Sequence, residues 1–362
     1  MKTEKEQLKP QSSKTGKLET ILLDEIKKGT YRPNDRIPSV RELCAKYGVC
    51  KQTVARAMSN LNALGILDVS HGKITRVKQA PVCSRIELIL FGYRDVVISK
   101  QDFWRDFYLG IEDEAKKYPQ YNIHVSAFTS DHPEMIADEL NKSKPAGLLV
   151  MGTSNASSLS VLQQSGLPMI CVYDYNPALD IPVVTIDIRN SFLEAIELFK
   201  EKKRKKVVFL YAGEPDKIDA VQGINNLKYR TFTELLLKNK LMPDESYILK
   251  SDVSDYAGYS MLMQLASENR IPDAVVLFSD SLAPALFRAA YELGIKIPED
   301  MDVLGIDNLT CGKFTIPSLS TINLSRYEQG RSAMRNLIEA IRSGNTPASS
   351  IIKTEVIRRE SL

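Results

Sequence analysis

Residues 38–65 read PSVRELCAKYGVCKQTVARAMSNLNALG, and this stretch predicts two helices about a tight turn. Ser39 is a favoured helix N-cap, and Glu42 three residues on can reach back to it as a capping box. Val40, Leu43, Cys44 and Tyr47 fall at i, i+3, i+4 and i+7, one apolar face. Gly48 suits the left-handed position that ends a helix. A second helix follows, with Val54, Met58, Leu61 and Leu64 on its inner side. Its outer side, near the start, carries Lys51, Gln52, Thr53 and Arg56.

Those four side chains can hydrogen-bond phosphates or base edges, and they sit where a recognition helix enters the major groove. A plain helical hairpin with a solvated polar face shows the same pattern. The residues that follow argue for more. Leu67–Ser70 and Lys73–Val77 flank His71-Gly72, two short runs around a glycine turn, and predict a β-hairpin. Its tip and return carry His71, Lys73 and Arg76. A helix-turn-helix followed by a basic hairpin is a winged helix.

From IKKGTYRPNDRIPSV to HGKITRV this region resembles the DNA-binding domain of the GntR family along its whole length. The shared signature is Asp35-Arg36-Ile37-Pro38-Ser39, Arg41-Glu42-Leu43, Gly48-Val49, Thr53-Val54, Leu61, Gly65 and His71-Gly72. The resemblance implies DNA contact by Arg41, by Lys51, Gln52 and Thr53, and by the wing at His71 and Gly72. Arg36, Arg56 and Lys73 complete the candidate set. Many members of the family have an arginine where this chain has Ala55, with Arg56 beside it.

Charge splits along the chain. Residues 1–80 hold sixteen Lys and Arg against eight Asp and Glu, a net +8, whereas the whole chain is +3, which leaves −5 for the remainder. A basic module on an acidic body is the asymmetry of a protein whose one end meets a polyanion. No run approaches the roughly 18 apolar residues of a membrane helix. The start, MKTEKEQLKPQSSKTGK, is polar and lysine-rich, so no secretory signal is read and the cytoplasm is expected. The five cysteines are scattered without a C-x-x-C or Cys/His cluster, so neither a metal site nor a cofactor is expected, and buried or half-buried thiols are.

Residues 1–15 are expected to be a disordered tail, 16–77 the winged helix with a first helix over Leu18–Lys28, and Lys78–Ser84 a linker. From 85 to 362 the pattern alternates. Short β-branched runs are expected as strands at Arg85–Leu90, Ile123–Phe128, Ala146–Met151, Met169–Tyr173, Val183–Ile186, Lys206–Tyr211, Tyr247–Leu249, Ala274–Phe278 and Asp302–Ile306. Amphipathic segments lie between them at Phe103–Lys117, Ser191–Lys200, Tyr229–Leu237, Tyr256–Glu268 and Leu282–Glu292. Such alternation predicts an α/β fold of parallel sheets covered by helices on both faces. The run exceeds one sheet, so two doubly wound lobes with a ligand cleft beyond the strand ends are expected.

Residues 270–340 carry a second resemblance, to the LacI/GalR family, whose body is shared with periplasmic sugar-binding proteins. Asp280, Leu293-Gly294, Ile297-Pro298-Glu299-Asp300, Gly305-Ile306-Asp307 and Pro317–Ile322 all fit, while over 85–270 the likeness is fainter. A GntR-type reader on a LacI-type body resembles regulators of the arabinose-repressor kind. The resemblance implies an effector pocket lined by positions such as Asp187, Ser279 and Asp307. It puts Lys228 where the family has an arginine, with Arg230 nearby. A sugar needs an aromatic platform plus charged or amide groups at strand ends. Phe103, Trp104 (the only tryptophan) and Asp174 are the further candidates. Asp280 is read as a helix cap for Leu282–Glu292.

No G-x-S-x-G, P-loop or G-x-G-x-x-G occurs, and His71, His124 and His132 stand apart, so no enzyme is read. The expectation is a ligand-responsive transcription regulator, a repressor acting as a homodimer. Its partners would be double-stranded operator DNA and a small-molecule effector, a carbohydrate, with no membrane. The alternative is a solute-binding protein or receptor with a non-sugar ligand.

Overall fold

The chain divides into two compact units, Met1–Cys83 and Ser84–Leu362. The computed structural model describes residues 14–27, 29–32, 34–63, 65–69, 74–77, 84–91, 102–128, 133–152, 156–173, 179–212, 223–242, 247–251 and 256–362.

In the first unit α1 (Lys14–Lys27), α2 (Val40–Tyr47) and α3 (Lys51–Ala63) enclose one apolar core, followed by β1 (Leu67–Asp68) and β2 (Arg76–Val77). The capping box forms: the Ser39 hydroxyl accepts from the Glu42 N–H, and the Glu42 carboxylate accepts from the Ser39 N–H. Gly48 ends α2 at φ 63°, a conformation that a Cβ resists, and its N–H reaches the Cys44 carbonyl. Helix α3 buries Val54, Ala57, Met58 and Leu61. Strands β1 and β2 pair antiparallel with Leu67 opposite Val77, and Arg36 bridges to Arg76. The unit is a winged helix-turn-helix. Helix α1 starts four residues before the expected Leu18 and overlaps the end of the expected tail. In an α-helix the N–H of residue 18 is satisfied by the carbonyl of residue 14, so the buried stripe from Leu18 needs that preceding turn.

The second unit is α/β with two six-stranded sheets. The first lobe begins with β3 (Ser84–Phe91), α4 (Asp102–Ala115), β4 (Tyr121–Phe128) and α5 (Pro133–Ser143). It continues with β5 (Gly147–Met151), α6 (Ala156–Gln164), β6 (Met169–Val172) and β7 (Val183–Asp187). The second lobe holds α7 (Arg189–Glu201), β8 (Val207–Ala212), α8 (Gly223–Lys238), β9 (Ile248–Ser251), α9 (Ala257–Ser267) and β10 (Ala274–Leu277). Then come α10 (Ala283–Glu292), β11 (Asp302–Ile306), α11 (Thr310–Lys313) and β12 (Ser320–Asn323). Helix α12 (Arg326–Ser343) and β13 (Ser350–Lys353) return to the first lobe, and β14 (Glu355–Ile357) ends in the second. The sheet orders are β13-β7-β6-β5-β3-β4 and β14-β12-β11-β10-β8-β9. All neighbours run parallel except β12 and β14.

Strand β3 shows why these runs read as continuously apolar. Ile86, Leu88 and Leu90 face a core shared with Trp104, Phe107 and Ile111 of α4 and with Ala333 and Leu337 of α12. Ile89 and Phe91 face the other side, against Ile136 and Leu140 of α5 and Leu159 and Leu162 of α6. Both faces are covered, so alternation disappears. Helices α4 and α12 cross at backbone contact. A Cβ on Gly330 would stand 2.1 Å from the Phe107 carbonyl oxygen, and one on Gly110 2.0 Å from that of Tyr327.

Three chain passages join the lobes: β7 to α7, β12 to α12 and β13 to β14. Side chains stitch them together. Thr354 Oγ1 donates to the Asp187 carbonyl at 2.8 Å, and Ser325 Oγ to the Lys353 carbonyl at 3.0 Å.

All nine expected strands are present. Strand β3 starts at Ser84, the last residue of the expected linker, while 78–83 lie outside the described residues. Helices α5, α6, α11 and α12 and strands β12, β13 and β14 are additional. Among the described residues no helix is long and apolar enough to cross a membrane.

Candidate effector cleft and nucleic-acid-reading helix

On the winged helix, the side of α3 opposite its buried residues leaves Lys51, Gln52 and Arg56 exposed, with Thr53 half-buried. Arg41 on α2 is exposed too. Arg36 is exposed and donates to Glu42 at 3.2 Å, on the same carboxylate that closes the capping box. His71, Gly72 and Lys73 lie outside the described residues. Cys50, directly before α3, corrects the expectation of buried or half-buried thiols: it is exposed, with Sγ 3.2 Å from Thr53 Oγ1. Hydrogen bonding from Thr53, first through its hydroxyl and then through its N–H, holds the Cys50 thiol below its usual range.

The cleft of the second unit is built from strand ends and helix starts. Strand β11 ends at Ile306, and the chain then turns through Asp307 at φ 111° and Asn308 at φ 53°, two left-handed residues in succession. Non-glycine residues adopt such angles at a cost of about 1–3 kcal/mol each, and they gather where function over-determines the backbone. The turn is pinned from behind by Asp280, whose carboxylate accepts from the Leu309 N–H at 2.8 Å and from Thr321 Oγ1 at 2.7 Å.

Asp307 is 3% exposed. Burial raises its carboxyl above the usual range, while Lys228, Arg326 and the Ser279 hydroxyl pull it back down. Lys228, on α8, is 5% exposed and donates to the Tyr173 hydroxyl at 2.7 Å. Tyr173 follows β6 and packs its ring edge-on against Phe103, centroids 5.4 Å apart. Arg326, the first residue of α12, is 4% exposed and lies 4.8 Å from the centre of the Phe103 ring. Its Nη1 stands 3.7 Å from Asp307 Oδ1, and its Nη2 3.6 Å from Asp106 Oδ2. Among the described residues, Arg326 Nε, Arg326 Nη1 and Asp307 Oδ1 have no hydrogen-bond partner.

Phe103, Lys228, Ser279 and Asp307 thus come together from four separate parts of the sequence. Trp104 is buried behind Phe103, its ring 4.8 Å from that of Phe103 and 5.8 Å from Phe107. Arg230 does not join them. It is exposed, two residues and therefore about 200° around α8 from buried Lys228. Asp187 sits at the first passage between the lobes, where its carboxylate accepts from Asn190 at 2.8 Å. Asp174 lies outside the described residues. Asp280 is not the expected cap: Ser279 caps the short 3-10 turn Asp280–Leu282, and Asp280 is fully buried under the Asp307 turn. Burial first, and Asp307 second, push its carboxyl well up.

Sequence reading missed Tyr173, Arg326 and Asp106. Arg326 carries one legible sign. Cations are favoured at helix C-termini, and a lone arginine opening an 18-residue helix is at the electrostatically wrong end. Among the described residues no group of three His, Cys, Asp or Glu side chains could hold a metal ion.

Together the units define a class, a winged helix-turn-helix head joined to a two-lobed binding-protein domain with a buried charged cluster at Lys228, Asp307 and Arg326. Residues 14–77 match the model for bacterial regulatory proteins of the gntR family, and 196–362 that for a periplasmic binding protein-like domain. The chain therefore carries a gntR-family head and a periplasmic binding protein-like domain. The HTH-type transcriptional repressor CytR of Escherichia coli (strain K12) is 29% identical over 217 residues, 59% of this chain and 62% of that protein. The chain thus matches somewhat less than two thirds of that relative's length. Among solved structures, the transcription regulator CcpA of Lactococcus lactis superposes with a TM-score of 0.65 at 21% identity, covering 77% of this chain and 98% of that one. The transcriptional regulator CelR in its cellobiose complex has a TM-score of 0.65 at 19% identity, covering 90% and 100%.

Proposed function

We propose that the protein is a ligand-responsive transcription repressor of the cytoplasm, with no catalytic activity. Its winged helix binds operator DNA, and a small molecule in the cleft of the second unit controls that binding. The observation that carries this reading is the Lys228–Asp307–Arg326 cluster. All three side chains are buried, Arg326 Nε and Nη1 and Asp307 Oδ1 have no hydrogen-bond partner among the described residues, and Asp307 stands on a strained turn, in a chain whose head also exposes Lys51, Gln52 and Arg56 along one helix. Buried polar groups are ordinarily satisfied, so unpaired ones at a cleft call for a ligand.

Arg36, Arg41, Lys51, Gln52, Thr53 and Arg56 are assigned to DNA, together with His71, Gly72 and Lys73 of the wing. Phe103, Lys228, Ser279, Asp307 and Arg326 are assigned to the effector, with Trp104 supporting Phe103. The effector is a carbohydrate or a close relative of one, the class to which the cellobiose of the CelR complex belongs. The protein acts as a homodimer on a pseudo-palindrome. Phe314 and Ile316, 80% and 94% exposed on the loop after α11, supply apolar area that a second copy would cover.

Selection from random duplexes, followed by fluorescence anisotropy with and without candidate sugars, tests this. A two-half-site operator whose affinity changes with one of the sugars is expected. Absence of any duplex preference, or an operator affinity indifferent to every ligand that binds the cleft, would end the reading.

A further inference from the structure

We propose that Arg326 and Asp307 together read one hydroxyl of the effector, which accepts from Arg326 Nη1 and donates to Asp307 Oδ1, and that Arg326 thereby selects among sugars. This rests on the reading of the cleft as the effector site and goes beyond it by naming the contact that sets specificity.

The geometry comes first. Arg326 Nη1 and Asp307 Oδ1 are 3.7 Å apart, close enough to attract and too far to share a hydrogen bond. Neither has a hydrogen-bond partner among the described residues, and both side chains are buried. A guanidinium nitrogen only donates, and a carboxylate oxygen only accepts. A group standing beside both must therefore accept from the first and donate to the second. A hydroxyl does both through a single oxygen, whereas the ring oxygen of a sugar only accepts. An oxygen about 2.9 Å from each atom closes a triangle over that gap. The two atoms are held at their spacing from outside. The Arg326 guanidinium lies 4.8 Å from the centre of the Phe103 ring, with Nη2 3.6 Å from Asp106 Oδ2. Asp307 is fixed by its own turn, which Asp280 pins at the Leu309 N–H.

What the pair lacks is hydrogen bonding rather than charge. Arg326 has Asp307 and Asp106 at 3.7 and 3.6 Å. It also acts on Asp280, the second buried carboxyl, drawing it back down against burial and Asp307. A neutral group that supplies one acceptor and one donor suits such a site. Entry follows from where the groups stand. Phe103 and Asp106 belong to α4 of the first lobe, Asp307 follows β11 of the second, and Arg326 opens α12 where the chain passes between them. Hinge opening at the passages admits the ligand, and closure brings both atoms onto its hydroxyl.

The test uses the full chain with glucose, galactose, mannose, arabinose, xylose and ribose, each joined by its monodeoxy and monodeoxyfluoro forms at every hydroxyl. Calorimetry reads affinity, and Trp104, the only tryptophan and a ring neighbour of Phe103, gives a second readout by fluorescence. At one position, removing the hydroxyl is expected to cost the best-bound sugar about ten-fold or more. Fluorine there, which cannot donate to Asp307, is not expected to restore the loss. Arg326→Met should cost that sugar a similar factor and its deoxy form almost nothing, because hydroxyl and guanidinium act as a pair. Arg326→Lys keeps the charge and serves in the same cycle where the methionine variant does not fold. A variant that binds the sugar as tightly as the unaltered chain would overturn the proposal and leave the gap to a structural water. So would a variant that loses as much on every deoxy form as on the sugar itself, or full recovery with fluorine. Binding by none of the six sugars would remove this inference and the carbohydrate reading together. A sugar that alters operator affinity while binding Arg326→Met at full strength would sink this inference and leave the proposed regulator standing.

Discussion

Lys228 Nζ donates to the Tyr173 hydroxyl at 2.7 Å, so a side chain of the second lobe grips the strand end of the first with both groups buried. Hydrogen bonds to charged groups contribute about 1.5–3 kcal/mol, enough to bias a hinge. Tyr173→Phe keeps the ring packing against Phe103 and removes the acceptor. Effector affinity measured by calorimetry should fall about ten-fold, which is ~1.4 kcal/mol, while operator affinity without effector stays as it was. Unchanged effector affinity would show that the contact plays no part in effector binding.

Asp307 sets a pH dependence. Burial raises its folded-state pKa above the unfolded one, so folding takes up a proton. Its contribution to stability is therefore undiminished below the unfolded value of ~4 and declines as pH rises through the raised folded value. Asp280 works in the same direction. Urea titrations of Asp307→Asn across acidic to neutral pH should show a shallower decline than the parent chain. An identical slope would mean that Asp307 ionises as freely folded as unfolded.

The α4–α12 crossing predicts a packing defect. Gly330→Ala sets a Cβ 2.1 Å from the Phe107 carbonyl oxygen, a contact with backbone that no side-chain movement relieves. Overpacking of this kind costs about 1–3 kcal/mol. Calorimetric melting of the variant should begin several degrees lower. A melting point within a degree of the parent would mean that the two helices can separate freely.

On α3, Gln52 and Lys51 should behave differently. Gln52→Ala is expected to relax base preference, because an amide reads base edges. Lys51→Ala is expected to weaken all duplexes alike and to reduce the salt slope by about one. Anisotropy over a salt series with matched and mismatched operators separates the two. A Gln52→Ala protein of unchanged selectivity would place base reading on another face.

Cys50 is the exposed thiol whose pKa Thr53 lowers, while Cys44 and Cys311 are half-buried and Cys171 is buried. Among these four, iodoacetamide at neutral pH should label Cys50 first, and the adduct, next to Lys51 and Gln52, should weaken DNA binding. Mass spectrometry after partial labelling checks the order, and preferential labelling of Cys44 would contradict it.

Much of this protein is local and therefore legible. The Ser39–Glu42 box, the Gly48 stop and the buried face of α3 at Val54, Met58 and Leu61 depend on residues a few positions apart and stand as read, while Leu64 lies outside the described residues. The runs of β3, β5, β6, β10 and β11 were legible because these strands are buried on both faces. Strand β13 was not, because its SIIK alternates between half-buried and exposed and pairs with β7, more than 160 residues away. Helix α12 escaped for a different reason: its apolar stripe lies inside a stretch dense with arginine and glutamate.

By itself the sequence determined a basic helix-turn-helix head, an alternating α/β body and several of the cleft's residues, because capping, periodicity and charge act over short spans. Only the tertiary structure decided which side chains share the cleft. It turned Arg230 to the surface while burying Lys228 two residues earlier. It set Asp280 to pin the Asp307 turn. It also brought Arg326, which opens α12 at the second passage between the lobes, onto Phe103. Those placements depend on how two sheets and three connecting passages close in space, and no local pattern encodes that closure.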